Sequence, residues 1–477
     1  MRPAHLIVTA LVVIAELAVL LRAILRPHRE PASRLAWVII ILVAPIIGMI
    51  AYLLLGETRV RRRRFGKLID KALPRPSSDA TLVQRIDRSD HGAPFALART
   101  VNGIGPTAGN SAMLAADSDS AIDSMVADVD SAQQHVHLTT YIWLEDGNGL
   151  KMKEALIRAA KRGIKVRVLA DALGSRRFIH SNHWRDLIAS GAEMRAALPF
   201  GDPFRILLRG RIDLRNHRKS LVIDNRLAWV GSQNLADPEF RIKARFAPWV
   251  DIMTRWEGPV ALHCQFLFVS DWMGEGGNDI SRCLGELPTQ PGPAGTIVAQ
   301  VIGTGPIFAY DAMPTCFSEL IHSAREELAV TTPYFVPDGQ LLYALLAAAR
   351  RGVRVILVFP KRNDSRFVAG ASRSYYADLL KAGAQIFEFR PGLLHAKTMV
   401  VDRQVALIGS ANLDLRSFEL NFENNILFAD AAFAAAIRAR QDEFIAQSDS
   451  VTADQINRCG VGTRLWRNAL AMLSPLL

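Results

Sequence analysis

One long passage of this chain is written twice, and that constrains its fold more than any other feature. VHLTTYIWLEDG (Val136–Gly147) returns as LAVTTPYFVPDG (Leu328–Gly339). LKMKEALIRAAKRGIKVRVLAD returns as LLYALLAAARRGVRVILVFP, and HWRDLIASGAEMRAAL as YYADLLKAGAQIFEF. Each copy alternates β-branched runs with helical-period runs closed by glycine, which argues for an α/β fold with helices on the faces of a mixed or parallel sheet. A unit this long that occurs only twice is a duplicated domain, not a solenoid. The 477 residues leave room for both copies. We place the first at residues 108–288 and the second at 289–477. TQPGPAG (Thr289–Gly295) reads as the linker and residues 61–107 as an approach segment.

Each copy ends in the same motif. The first is NHRKSLVIDNRLAWVGSQN, with His217, Lys219, Asp224, Gly231, Ser232 and Asn234. The second is LHAKTMVVDRQVALIGSAN, with His395, Lys397, Asp402, Gly409, Ser410 and Asn412. A lone HxKxxxxD arises readily by chance, whereas two copies, each with GSxN at the same spacing and place in the repeat, do not. Strand alternation would put His217 and Lys219 on one face. Gly231 and Gly409 would let backbone approach closely where serine and asparagine reach the site.

These residue types suit a phosphodiester. Its oxygens repel anionic nucleophiles, so Lys219 and Lys397 would neutralise them while Ser232, Asn234, Ser410 and Asn412 donate hydrogen bonds. A neutral histidine would attack phosphorus, and a protonated one would supply the leaving group's proton and then act as base. The scheme needs no metal and no cofactor. Asp224 and Asp402 would orient histidine or lysine, or cap a turn. Glu423 in SFELNFEN and Asp251 in WVDI occupy similar places after the two motifs, and read equally as supports for a histidine or as surface carboxylates. None of the four cysteines forms a CxxC pair, which argues against zinc.

Half of the residues are hydrophobic, and much of that excess lies in the first 55. Leu6–Leu25 and Leu35–Leu55 are apolar runs, each of about the 20 residues a bilayer-spanning helix needs. RPHREPASR between them reads as a hairpin turn, so residues 1–60 are expected to form a two-helix transmembrane hairpin. Glu16 within the first run would face its partner helix. Arg2, Arg59, Arg61 to Arg64 and Lys67 outweigh Arg26, Arg29 and Arg34 in the turn. The termini and the large domain are therefore expected in the cytoplasm, on a multi-pass protein of the cell's inner membrane. The net charge of +11 favours anionic partners. Pro203–Lys219, which mixes apolar residues with Arg205, Arg209, Arg211, Arg215 and Arg218, reads as an anionic-lipid interface or a solvated basic loop.

The paired motifs resemble those of the phospholipase D superfamily. With AWVIIILVAPIIGMIAYLLLGE, TTYIW, TTPYFVPD and the tail LAMLSPLL, nearly the whole chain is similar to the bacterial cardiolipin synthases. The resemblance implies two phospholipase D-like domains, with phosphatidylglycerol as the membrane-lipid substrate. It implies transfer of a phosphatidyl group from one phosphatidylglycerol to another with release of glycerol, without metal or nucleotide. It also implies His217 as nucleophile and His395 as acid and base, a pair of roles that the symmetry of the motifs would allow to be exchanged. MLAADSDS (Met113–Ser120) lacks the glycine such enzymes usually carry after the aspartate. Hydrolysis, or transfer to serine, would use the same groups. No aromatic-interleaved basic groove supports a membrane-tethered nuclease, and a non-catalytic lipid-binding scaffold need not keep both histidines.

Overall fold

A computed structural model describes residues 3–26, 31–56, 79–199, 213–285, 295–306 and 311–472. The Arg59–Lys67 cluster, Arg205, Arg209, Arg211 and most of the expected linker lie outside the described residues.

The first half contributes β1 (Thr107–Leu114), β2 (His135–Thr140), β3 (Lys165–Asp171), β4 (Glu193–Ala197), β5 (Arg215–Asn216), β6 (Ser220–Ile223), β7 (Leu227–Gly231), β8 (Trp249–Val250) and β9 (Met253–Glu257). The second contributes β10 (Ile297–Thr304), β11 (Glu327–Thr331), β12 (Phe335–Val336), β13 (Arg354–Pro360), β14 (Gln385–Phe389), β15 (Leu393–Leu394), β16 (Thr398–Val401), β17 (Val405–Gly409), β18 (Leu413–Asp414), β19 (Asn421–Ala429) and β20 (Ser448–Val451). Spatial order shows the duplication. The first half runs β1-β9-β7-β6-β2-β3-β4 and the second β10-β19-β17-β16-β11-β13-β14, with β20 at its edge. Antiparallel pairing of β1 with β10, Thr107 opposite Ala299, joins them into one continuous sheet. Along this order β2-β3-β4 and β11-β13-β14 are the parallel stretches; the motif strands beside them pair antiparallel. The sheet is thus mixed, since the helices that alternate with strands in the sequence serve only the parallel crossovers.

Local chemistry sets those crossovers identically in both halves. Asp146 caps the helix Gly147–Lys161 by accepting from Gly149 N at 3.1 Å, and Asp338 caps Gly339–Arg350 by accepting from Leu341 N at 2.8 Å. Such caps are worth about 1 kcal/mol each. Gly163 (φ 85°) and Gly352 (φ 90°) then take the left-handed turn that returns the chain to β3 and β13.

The apolar helix Val260–Gly274 is buried almost all round and packs against strands of both halves, β10 as well as β2, β6, β7 and β9. Burial on every side explains why its sequence shows no polar face.

At the amino end, the helix Pro3–Leu25 contains a stretch, Ile7–Leu25, long and apolar enough to cross a membrane. The second apolar run is not one helix. It breaks at Ala44 (φ −137°, ψ 74°) into Pro31–Val43 and Pro45–Ala51, followed by a π turn over Tyr52–Gly56. Pro45 lacks an N–H and disfavours helical backbone in the residue before it. Ala23, Trp37, Ile41 and Tyr52 bury together where these helices meet.

Candidate active site

Both HxK segments are links between strands. His217 to Lys219 runs from β5 into β6, and His395 to Lys397 from β15 into β16. Each short strand preceding a histidine pairs in parallel with the opposite half: β5 with β19, and β15 with β8. His217 N donates to Phe422 O at 3.0 Å, and His395 N to Val250 O at 2.8 Å. Each histidine backbone is therefore anchored across the domain boundary.

The side chains cross it too. His217 Nδ1 lies 3.0 and 2.9 Å from the two carboxylate oxygens of Glu423, and His395 Nδ1 lies 2.6 Å from Asp251 Oδ1. Each of these carboxylates therefore meets the histidine of the other half. The GSxN serines hold them: Ser232 Oγ donates to Asp251 at 2.6 Å and Ser410 Oγ to Glu423 at 2.5 Å. Each hydroxyl accepts in turn from a backbone N–H, of Ile252 and of Asn424. With Nδ1 engaged, Nε2 of both rings has no hydrogen-bond partner among the described residues.

Gly231 and Gly409 do what their positions require. A Cβ on Gly231 would meet Ile252 O at 2.2 Å, and one on Gly409 would meet Asn424 O at 2.3 Å. Lys219 Nζ donates to His217 O at 2.7 Å and Lys397 Nζ to His395 O at 2.6 Å, so each lysine curls back beneath its own histidine. Asn234 Oδ1 accepts from Ile142 N at 3.3 Å, and Asn412 Nδ2 donates to Ser417 Oγ at 3.2 Å.

Asp224 and Asp402, grouped with the catalytic residues on sequence, are placed elsewhere. They open the β6–β7 and β16–β17 hairpins, roughly 20 Å along the strand from their histidines. Asp224 accepts from the N–H groups of Gln133, Gln134 and His135, and Asp402 from those of Arg325, Glu326 and Glu327. Asp224 and Asn225 (φ 52° and 54°) and Asp402 and Arg403 (φ 51° and 54°) form turns with two left-handed residues. These carboxylates tie hairpin to strand start. Asp224→Ala or Asp402→Ala should cost about 2 kcal/mol, because three backbone donors at each hairpin lose a charged acceptor. Chemical denaturation would show the loss, while the fraction still folded keeps normal turnover; a turnover loss at unchanged stability would contradict this.

Arg215 and Arg218, read as facing lipid or solvent, are buried. Arg218 pairs with Asp271 at 2.5 Å and donates to Glu423 O and Thr304 O at 3.1 Å each. Asp271 also accepts from Asn216 Nδ2, and Asp171 from Asn216 N. These aspartates carry no sequence signal of their role. Tyr141 and Tyr334 do, because each stands in the repeated segment after TT. Their rings lie 4.9 Å from His217 and 6.5 Å from His395.

Burial dominates the electrostatics. It lowers Lys219 to about 7 and Lys397 to about 8, and raises Glu423 to about 7 against the pull of Lys219 and Ser410. His217 is held well below its ordinary value by burial and then by the two lysines. Burial and Lys397 also lower His395, but Asp251 works against them. Burial pushes Asp251 up, yet His395, Lys397 and Ser232 outweigh it and keep its carboxyl below the usual range. The pairs are thus unequal: the carboxyl facing His395 at 2.6 Å is held below its ordinary range, whereas the one facing His217 is raised to about 7.

Two histidines braced across a domain boundary above two buried lysines are groups chemically suited to phosphodiester transfer. The described residues hold no cluster of three or more potential metal ligands. The family described as "Cardiolipin synthase, PLD-like domain" matches residues 125–244 and 317–445, and "Phospholipase D-nuclease N-terminal" matches residues 17–57. Cardiolipin synthase A of Yersinia pseudotuberculosis serotype O:1b (strain IP 31758) is 36% identical over 464 residues, 95% of each chain. That of Proteus mirabilis (strain HI4320) is 35% identical over 471 residues, 94% of each. The crystal structure of phosphatidylserine synthase from Haemophilus influenzae Rd KW20 superposes with a TM-score of 0.58 at 13% identity. It covers 81% of this chain and 100% of its own, a likeness of fold. This chain belongs to the cardiolipin synthase family of phospholipase D-like proteins.

Proposed function

We propose that the chain is a cardiolipin synthase that moves a phosphatidyl group between two phosphatidylglycerol molecules through His217. The observation that carries this reading is the reciprocal bracing of His217 by Glu423 and of His395 by Asp251. His217 Nε2 attacks the diester phosphorus while Lys219 and Lys397 neutralise its oxygens. The bond to the glycerol oxygen breaks, and that oxygen takes the Nε2 proton of His395. His395 then removes the proton from a hydroxyl of the second phosphatidylglycerol, whose oxygen attacks phosphorus and frees His217. Inequality of the two pairs supports this assignment over its reverse. An incoming diester offsets the lysines that depress both histidines, which favours the protonated form of His395 once substrate binds. Asn234 and Asn412 would donate to the phosphate from the ends of the GSxN turns.

A two-helix hairpin over residues 1–60 would tether the approach segment 61–107 and the domains 108–288 and 289–477 to the inner membrane from its cytoplasmic side. Phosphatidylglycerol vesicles should yield cardiolipin and free glycerol by mass spectrometry; phosphatidic acid instead would make water the acceptor. An impermeant maleimide should label Cys459 in inverted vesicles, and labelling only in right-side-out ones would reverse the topology.

A pH profile follows from the same groups. Lysine carries its charge below its pKa, so kcat/KM should fall as pH rises through about 7 to 8, where Lys219 and Lys397 lose theirs. His217 must be neutral to attack, and its depressed pKa puts the acid limb well below 6.5. A kcat/KM that still climbs between pH 8 and 9 would contradict this electrostatic account.

A further inference from the structure

The tail helix Val461–Met472 is packed along one side only. Leu470 lies against Gly370 of the helix Arg366–Ser374 and buries with Val336 and Ala371. Its open side is apolar: Val461 is 80% exposed, Leu465 70%, Trp466 64% and Met472 78%. At 100° per residue Val461, Leu465 and Met472 form one stripe. The other seven tryptophans of the chain are buried, which sets Trp466 apart.

A second exposed piece is tied to the segment that leads into the helix beneath the tail. The 3-10 segment Arg241–Phe246 has no buried residue and presents Ile242 among Arg241, Lys243 and Arg245. Lys243 pairs with Asp364, which lies just before the helix that carries the tail. Both pieces lead inward to one histidine. Phe240 stacks on Trp249 at 3.9 Å, and Trp249 lies 4.8 Å from His395. Asp364 accepts from Tyr334 Oη at 2.8 Å, beside the same ring.

We infer that the tail helix and the Arg241–Phe246 segment form a docking face for an anionic phospholipid bilayer, at the His395 side of the site. The occupant follows from charge and chemistry. RIKARF and VGTRLWRNALAM carry five basic side chains and no acidic one, interleaved with exposed leucine, isoleucine, valine and tryptophan. That is the composition of an interfacial surface seated on acidic headgroups. The inference rests on the reading that the substrate is a membrane phospholipid. It adds a contact distinct from the amino-terminal helices, one that would hold the mouth of the site at the headgroups.

Fluorescence of the full chain in vesicles tests it without requiring turnover. In phosphatidylglycerol vesicles with brominated acyl chains, the emission lost in Trp466→Phe should be quenched by bromine and shielded from aqueous iodide. The effect should be weaker in phosphatidylcholine. Emission open to iodide and untouched by bromine would overturn the docking face. Shielding without lipid that grows with protein concentration would assign the face to a second copy of the chain and also overturn it. The double variant Val461→Asp, Leu465→Asp should raise KM for bilayer phosphatidylglycerol about tenfold, as expected for losing two buried apolar side chains. Its kcat on dispersed short-chain phosphatidylglycerol should not change, and an equal loss on both substrates would contradict docking. If the wild type failed to make cardiolipin, the quenching would still decide this point separately.

Discussion

Replacing either His217 or His395 by alanine is expected to lower transfer by on the order of 10⁴-fold, with the fold intact. The two losses should differ in kind. His217→Ala has no nucleophile and forms no adduct with any donor. His395→Ala keeps the nucleophile but must expel glycerol as an alkoxide, so a donor with a more acidic leaving group, such as a nitrophenyl phosphodiester, should still pass its phosphoryl group to His217 as the bond to the nitrophenolate breaks, releasing nitrophenolate in a single burst. Because each histidine is held by a carboxylate of the other half, neither half is expected to act without its partner. Mixing the two single variants should restore nothing, since both histidines belong to one site within one chain. Stopped-time assays on the two donors, with denaturation midpoints beside them, check this. A His395 variant that lost the activated donor as completely as the natural one would remove its role as acid.

Lys219→Met and Lys397→Met should each reduce kcat/KM by about 10²- to 10³-fold, the usual loss when one preorganised charge is removed from a developing anion. Methionine preserves most of the buried stem, so packing survives. The substitution leaves Glu423 and Asp251 with less positive charge nearby. It also removes a cation that holds His217 down, so the pKa of His217 should rise and the acid limb of the rate profile should move up with it. Burial already lowers both lysines, so an uncharged side chain at these positions should leave stability unchanged or improved. A variant with normal kcat/KM and lower stability would make the lysines structural.

Much of the fold was readable where local chemistry decides it. The capping aspartates, the closing glycines and the β-branched runs mark the crossovers of both halves, and the repeat itself announces a symmetric architecture. The motif positions of the histidines, lysines and serines were readable for the same reason. What spacing could not show is which carboxylate meets which histidine. Glu423 and His217 stand 206 residues apart, and Asp251 and His395 stand 144 apart. Those meetings depend on β5 and β15 crossing into the opposite half, and two-residue strands leave no periodicity to read. Arg215 and Arg218 show the converse. Basic residues among apolar ones describe a lipid-facing loop and a buried ionic network equally well, and only the partners Asp271 and Asp171 distinguish them. Ala44-Pro45 carried its own signal, since proline breaks an apolar run that length alone would read as one helix.

The most direct measurement is to find the adduct. The full chain should be turned over on phosphatidylglycerol vesicles, quenched at alkaline pH where phosphohistidine survives, digested, and its peptides read by mass spectrometry. A phosphatidyl group on the peptide containing His217, absent from His217→Ala and appearing as fast as cardiolipin forms, is the result predicted here. Cardiolipin formed with the adduct on His395 instead, or with no protein adduct at all, would contradict it.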